Sequence, residues 1–192
     1  MSDRLTQQIN FIMEMDRLKA VVRQNRTPSA KRRENTAEHS WHLALMGLVL
    51  EEQSSETVDR AKVLGMLLLH DVVEIDAGDT FAYDDDGHAD KALREEAAAV
   101  RLFGLLPSDQ GEQLSRLWHE FEAGQTPEAR LARALDRLQP ILLNHRSGAE
   151  SSWAKHGISK AQVLSRNAEV KTLSAPLWEL LNRCCDEAVA AG

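Results

Sequence analysis

The stretch Leu67–Asp79, LLLHDVVEIDAGD, decides how the rest of the chain is interpreted, because an apolar run passes directly into ionisable residues. The apolar start is typical of a helix packed in a core. The imidazole and four carboxylates that follow it are costly to bury without partners. They are His70, Asp71, Glu74, Asp76 and Asp79. Their position at the edge of a core indicates a chemical role.

The remainder of the sequence is typical of helices. Leu, Ala, Glu and Arg are frequent, and the alternating pattern expected of strands is missing. We therefore predict an all-α fold, a single compact bundle of about seven to nine helices. The domain spans residues 1–192, with the motif-bearing part at about 5–150 and C-terminal helices at 159–190 packing on it.

Capping and breaking residues locate the individual helices. The first is predicted over residues 3–24, followed by a basic loop up to residue 35, and Gly78 ends the helix that contains His70. Pro140 is expected to kink or restart a later helix. Predicted caps are Thr36, Thr57, Thr126 and Ser159. The predicted apolar sides of the first two helices comprise Leu5, Ile9, Ile12, Met13 and Leu18, and Trp41, Leu45, Leu48 and Val49.

Composition excludes several classes of protein. The formal net charge of −7 argues against a broad nucleic-acid-binding surface. No apolar run is long enough for a membrane span, and the N-terminal residues do not resemble a signal peptide. The cysteines, Cys184 and Cys185, are adjacent and unsuited to a disulfide, which favours a cytoplasmic location. The acidic stretch 83–90 lacks calcium-loop spacing and is expected to be a solvated lid.

Four candidate metal ligands each follow or interrupt an apolar helix face. They are His39, His70, Asp71 and Asp136. One divalent cation bound by two imidazoles and two carboxylates would give all four a partner. Nitrogen and oxygen ligands without thiolate suit Mn, Fe, Co or Ni, with Zn and Mg as alternatives. Four protein ligands leave two positions open, for a phosphate oxygen and a water of lowered pKa.

Two further carboxylates of the opening stretch are candidates for catalysis. Glu74 lies four residues after His70, which on a helix places both side chains on one face. A carboxylate there could bind the attacking water or protonate a leaving oxygen. Asp79 follows Gly78, where a loop could present it to a substrate. Asp76 is expected to be solvated or a local cap.

The segments AEHS, LLHDVVEIDAGD and ALDRLQP together resemble the HD-domain metal-dependent phosphohydrolase superfamily, and within it the small 5′-deoxynucleotidases. The resemblance implies that His39, His70, Asp71 and Asp136 hold the metal and that Glu74 serves the attacking water. It places Asp79 near the sugar hydroxyl and the scissile phosphate. It also implies hydrolysis of nucleoside 5′-monophosphates, deoxyribose preference and a homodimer.

Basic residues are candidates for binding the substrate phosphate. Arg23 and Arg32 are the best placed by motif in the basic segment, and Lys91 opens the helix after the acidic stretch. The alternative for all three is a solvated surface position. The chain has Gln24 where the resembled deoxynucleotidases place a tryptophan after the arginine, so the motif leaves substrate choice open.

Two other functions remain compatible with the same residues. A phosphohydrolase for a signalling nucleotide or a cyclic phosphodiester would use the same metal site. A metal-bound nucleotide sensor would bind without turnover, although a pure binding protein has no need of Glu74. The expected partner in each case is a small phosphate ester.

Overall fold

The computed structural model describes residues 3–190, with the backbone alone described at positions 85, 189 and 190. The predicted all-α class is confirmed, although the helices are shorter and more numerous than expected. The helices are α1 Asp3–Met15, α2 Thr36–Leu50, α3 Arg60–Leu69, α4 Glu74–Ala77, α5 Asp85–His88, α6 Lys91–Phe103, α7 Ser108–Ala123, α8 Pro127–Ser147, α9 Ser152–His156, α10 Lys160–Arg166, α11 Glu169–Leu173 and α12 Ala175–Ala190. Two antiparallel strands, β1 Val22–Thr27 and β2 Arg32–Asn35, form a hairpin.

The hairpin corrects the prediction of one helix over residues 3–24 and a loop up to residue 35. The first helix ends at Met15, a 3₁₀ turn covers Asp16–Ala20, and the chain then becomes extended. Lys31 adopts a left-handed backbone with φ of 52° in the connecting turn. The strands are polar and lack apolar alternation, which is why their pattern resembled a loop. This hairpin carries Arg23 towards α8.

The capping predictions were correct at two helices and wrong at two. Thr126 caps α8 and Ser159 caps α10. The cap of α2 is Asn35 rather than Thr36, because Asn35 and Glu38 form a reciprocal capping box. The cap of α3 is Asp59 rather than Thr57, because its carboxylate accepts two backbone N–H bonds.

The apolar sides predicted for α1 and α2 are largely exposed. Phe11 and Leu18 are buried from the first segment, whereas Ile12 and Met13 are 59% and 63% exposed. In α2 the buried apolar residues are Leu43 and Met46. The predicted residues that prove exposed are Leu5, Ile9, Ile12 and Met13 in α1, and Trp41, Leu45, Leu48 and Val49 in α2. α2 carries apolar residues on more than one side, so its periodicity could not decide which side faces the core.

The long helix α8 is the centre of the larger apolar cluster. Leu131, Leu135 and Leu138 are fully buried, and the C-terminal helices contribute Leu177 and Leu181 to the same cluster. A second cluster is formed by residues from α1, the α3–α4 segment, α6 and α7. The assignment of residues 1–192 to one domain stays a prediction, and positions 1, 2, 191 and 192 lie outside the described residues.

Two local features shape the segments that carry the candidate ligands. The helix that was predicted to contain His70 and end at Gly78 is interrupted after Leu69, where i to i+3 bonds tighten the chain before α4 begins at Glu74. In contrast, α8 continues through Pro140, and the side-chain amide of Asn25 donates to the Pro140 carbonyl at 3.3 Å. Among residues 3–190, no helix is both long and apolar enough to cross a bilayer.

Candidate metal centre

The fold brings three distant segments together at the predicted ligands. His39 lies on α2, His70 and Asp71 follow α3, and Asp136 lies on α8. Potential ligand atoms of His39, His70 and Asp136 all lie within 4.8 Å of one another. The Asp71 Oδ2 atom is 3.1 Å from the His70 Nε2 atom and 3.7 Å from the His39 Nε2 atom. Three predicted ligands therefore converge, and Asp71 lies beside the two imidazoles.

The imidazole of His70 is oriented by its own helix. Its Nδ1–H donates to the Leu67 carbonyl at 3.1 Å, which leaves the Nε2 atom directed at the two carboxylates. That Nε2 atom is buried and makes no hydrogen bond. Trp118 fixes the same turn, because its indole N–H donates to the His70 carbonyl at 3.0 Å. An orphaned, buried imidazole nitrogen facing carboxylate oxygens fits a metal ligand.

The imidazole of His39 faces acceptors on both sides. Its Nδ1 atom is 3.1 Å from the Gln139 Oε1 atom, and its Nε2 atom is 3.0 Å from the Asp136 Oδ1 atom. A neutral imidazole has only one N–H to donate. Burial and the neighbouring Arg23 guanidinium lower the pKa of His39 to about 4, which disfavours the doubly protonated form. With a cation bound at Nε2 and the proton on Nδ1, both nitrogen atoms of His39 have a partner.

The pKa values of the other candidate ligands are shifted by burial and by the charged groups beside them. Burial lowers the pKa of His70, but the charges of Asp71 and Asp136 outweigh it and raise that pKa to about 10. Burial raises the pKa values of Asp71 and Asp136, and the neighbouring imidazoles, with Arg23 beside Asp71, bring both below their ordinary range. Both carboxylates are therefore held ionised, as ligands of a divalent cation must be.

Arg23 extends from β1 into the centre of the acidic residues. Its Nη1 atom lies 2.6 Å from the Asp71 Oδ2 atom, 3.8 Å from the Glu74 Oε1 atom and 3.7 Å from the Asp79 Oδ1 atom. One guanidinium therefore faces a predicted ligand, the predicted catalytic carboxylate and the predicted substrate contact. The side chain is only 14% exposed, so its charge is weakly screened by solvent.

Glu74 and Asp79 are both brought to the centre, although no regular helical turn joins Glu74 to His70. The Thr36 hydroxyl donates to the Glu74 Oε2 atom at 2.9 Å. Burial, and then the Asp71 charge, raise the pKa of Glu74 well above its ordinary value. Burial and Asp71 also raise the pKa of Asp79. These two carboxyl groups can gain or lose a proton nearer to neutral pH than ordinary carboxyls.

The predicted phosphate-binding residues are placed differently from one another. Lys91 lines the same cavity as Arg23, with its ammonium 2.6 Å from the Glu95 carboxylate. Arg32 is exposed on β2, pairs with Glu38 and is not among the residues that line the cavity. The structure therefore brings Arg23 and Lys91 to the centre but not Arg32. Asp76 pairs with Arg101 away from the four ligands.

A cavity of about 240 Å³ is lined in part by His70, Asp71 and Asp136. Gln24 lines it beside Arg23, and the start of the acidic stretch contributes Tyr83. Within that stretch the predicted loop contains the short helix α5. Other lining residues are Asn25, Thr80, Phe81, Arg133, Arg137, Asn144 and Arg166. The cavity therefore combines a lining rich in arginine with three of the predicted ligands, His70, Asp71 and Asp136.

Sequence reasoning missed two buried polar residues beside the ligands. Gln139 is fully buried and contacts His39, and its Nε2–H donates to the Glu34 Oε1 atom at 2.7 Å. The signal for Gln139 was its position three residues after Asp136, on the same face of α8. Nothing in the local pattern around Glu34 distinguishes it from the other charged residues of the basic segment.

Comparisons with known proteins agree with this arrangement. A family model described as HD domain matches residues 15–178. A protein named 5′-deoxynucleotidase HDDC2 from Danio rerio is 31% identical over 115 residues, which are 60% of this chain and 56% of that protein. Its namesake from Bos taurus is 30% identical over 135 residues, 70% of this chain and 64% of that protein. The matches thus span less than two thirds of these relatives.

A solved structure matches nearly the whole chain. It is a protein from Magnetospirillum magnetotacticum MS-1 described as a predicted metal-dependent phosphohydrolase, 47% identical, with a TM-score of 0.92. The match covers 98% of this chain and 94% of that one. A protein from Pyrococcus horikoshii is 21% identical with a TM-score of 0.63, which shows a shared fold alone.

Proposed function

Because the chain belongs to the HD-domain family, we propose that it is a metal-dependent phosphohydrolase that removes phosphate from nucleoside 5′-monophosphates, preferably deoxynucleotides. The observation that carries the proposal is the convergence of potential ligand atoms from His39, His70 and Asp136 beside a cavity lined by Arg23 and Lys91. The substrate class is supported by the names of the HDDC2 relatives.

The proposed metal ligands are the two imidazoles and two carboxylates predicted from the sequence. They are His39, His70, Asp71 and Asp136, and they suit a single Mn, Fe, Co, Ni, Zn or Mg ion. When bound, such an ion polarises a phosphoryl oxygen and lowers the pKa of a water molecule. Asp71 and Asp136 supply the negative charge that balances the cation.

Residues of the chain perform the remaining steps. Glu74 orients the attacking water and accepts its proton, a role favoured by its raised pKa. The water oxygen bonds to phosphorus while the bond from phosphorus to the 5′ oxygen breaks. That oxygen takes a proton from solvent water to give the nucleoside. Arg23 and Lys91 stabilise the negative charge on the phosphoryl oxygens. Asp79 contacts the sugar side of the substrate.

The proposal is tested by phosphate release. Metal-free protein is loaded separately with Co, Mn, Ni or Mg and mixed with ribo- and deoxynucleoside 5′-monophosphates. We expect release from the monophosphates with at least one metal. No release from any of them overturns the proposal. Turnover only of cyclic phosphodiesters or 3′-pyrophosphorylated nucleotides would replace the substrate class, and binding without turnover would indicate a sensor.

The predicted homodimer and cytoplasmic location are proposals of the same kind. The exposed apolar residues of α2, which include Trp41 at 66% exposure, are available to a second copy. Sedimentation velocity at micromolar concentration tests the dimer, and a monomeric mass would contradict it.

A further inference from the structure

We propose that Gln139 and Glu34 form a positioning relay that holds His39 with its Nε2 atom free for the metal. This inference rests on the metal centre proposed above and adds two residues to it. The Gln139 Oε1 atom accepts from the His39 Nδ1–H at 3.1 Å, and the Gln139 Nε2–H donates to the Glu34 Oε1 atom at 2.7 Å. The relay therefore runs from β2 through α8 to α2.

Three polar side chains of this relay are buried, which costs free energy. His39 and Gln139 are fully buried, and Glu34 is 2% exposed. A carboxylate and an amide placed in a core cost free energy that apolar residues at the same positions would not. The Gln139 Nε2 atom also lies 3.3 Å from the His42 Nδ1 atom, so the amide contacts buried or half-buried polar groups. We therefore assign these hydrogen bonds to positioning the proposed ligand His39.

Glu34 decides which way the Gln139 amide points. The Glu34 Oε1 atom accepts from the amide, so the amide turns its NH₂ group to Glu34 and its oxygen to His39. The amide oxygen in turn only accepts, so the His39 proton must reside on Nδ1. With the amide reversed, Nδ1 would face a donor, and the proton would move to the Nε2 atom that the metal needs.

The relay also couples two of the proposed ligands and the substrate-binding arginine. Gln139 lies one helical turn after Asp136 on α8, so the amide and that carboxylate are held by the same rigid element. The second oxygen of Glu34 makes no hydrogen bond and lies 4.0 Å from the Arg23 Nε atom. The same oxygen lies 3.7 Å from the His39 Nδ1 atom. A change at Glu34 therefore acts on Arg23 directly, and on His39 both directly and through Gln139.

The first test is calorimetric titration of Co²⁺ into metal-free protein. Gln139→Leu keeps the size and removes the hydrogen bonds to His39 and Glu34, and we expect its Kd for Co²⁺ to rise about 10- to 100-fold. Glu34→Leu should weaken binding as well, because the amide loses its orientation. Glu34→Gln should restore affinity to within about threefold, because its amide oxygen can still accept from Gln139.

A matched control separates the relay from a general disturbance of the core. Ser40 is buried beside His39 in the sequence, and its hydroxyl has no hydrogen-bond partner. Ser40→Ala should therefore bind Co²⁺ as the wild type does. A Gln139→Leu protein with wild-type affinity overturns the relay. Wild-type protein that binds no Co²⁺ overturns the proposed metal centre instead, so the two failures are distinguishable.

A second measurement does not depend on whether the variants fold. In wild-type protein loaded with diamagnetic Zn²⁺, nitrogen-15 NMR of the His39 ring should place the proton on Nδ1 and the metal on Nε2. The reverse assignment overturns the relay, whatever the calorimetry shows.

Discussion

The guanidinium of Arg23 contacts Asp71, a proposed metal ligand, with 2.6 Å between the Nη1 and Oδ2 atoms. The same group faces Glu74 and Asp79. Arg23 therefore has two roles in this site. It offsets the negative charge of Asp71, and it lines the cavity that we propose for the substrate phosphate.

Arg23→Lys should lower kcat/KM about 10- to 100-fold, because an ammonium cannot face three carboxylates as a planar guanidinium does. Arg23→Ala should lower it further. Steady-state phosphate release across substrate concentrations is the measurement. A loss confined to KM would show that Arg23 only binds substrate, whereas a loss in kcat as well is the result expected from its contact with Asp71.

Arg32→Gln distinguishes the motif-based prediction from the geometry. The sequence placed Arg32 among the phosphate contacts, whereas the structure pairs it with Glu38 on the surface. Exposed ion pairs contribute about 0–1 kcal/mol, so the unfolding free energy should fall by no more than about 1 kcal/mol. The kcat/KM should stay within about twofold of wild type. A loss comparable to that of Arg23→Lys would restore the sequence-based prediction.

His70→Ala and Glu74→Ala should both lose activity, for different reasons. Removing the imidazole of His70 leaves Asp71 and Asp136 without the ligand between them, so the metal is lost. Removing the carboxylate of Glu74 leaves the four ligands intact and removes the proton acceptor, which costs about 10²- to 10⁴-fold in kcat. Metal content by mass spectrometry, measured beside phosphate release, separates the two. Metal loss in Glu74→Ala would make it a ligand.

Thr36→Val should shift the acid limb of the pH–rate profile to higher pH. The hydroxyl of Thr36 donates to the Glu74 carboxylate and lowers its pKa, so its removal raises that pKa further. If Glu74 acts in its ionised form, activity then appears only at higher pH. Thr36→Ser keeps the hydroxyl and should keep the wild-type profile. Identical profiles for the valine and serine variants would show that the ionisation of Glu74 does not set the acid limb.

Glu34→Gln should change how stability depends on pH in the metal-free protein. Burial raises the pKa of Glu34 to about 7 from its ordinary value of 4.5. A raised carboxyl pKa contributes stability that is complete below pH 4.5 and is lost as pH rises through 7. Relative to Glu34→Gln, the wild type should lose about 2–3 kcal/mol of unfolding free energy over that range. Urea unfolding at pH 4.5 and 8 measures the unfolding free energy of both proteins. The same difference between them at both pH values would contradict the burial of an ionisable Glu34.

The sequence by itself determined the helical class, two of the helix caps and the identities of the predicted ligands. Each of these depends on neighbouring residues. Thr126 and Ser159 cap their helices by accepting from backbone N–H groups three positions away. The adjacent His70 and Asp71, followed by Glu74 and Gly78, form a pattern whose chemistry is visible without a fold.

Tertiary structure alone decided which side chains meet. His39 and Asp136 are 97 positions apart, and Gln139 and Glu34 are 105 apart, so no local pattern could join them. The direction of Arg32 and the exposed side of α2 were likewise set by packing. Local periodicity states which faces are apolar, whereas the burial of one face, and the pairing of distant polar groups within it, depends on what the rest of the chain places opposite.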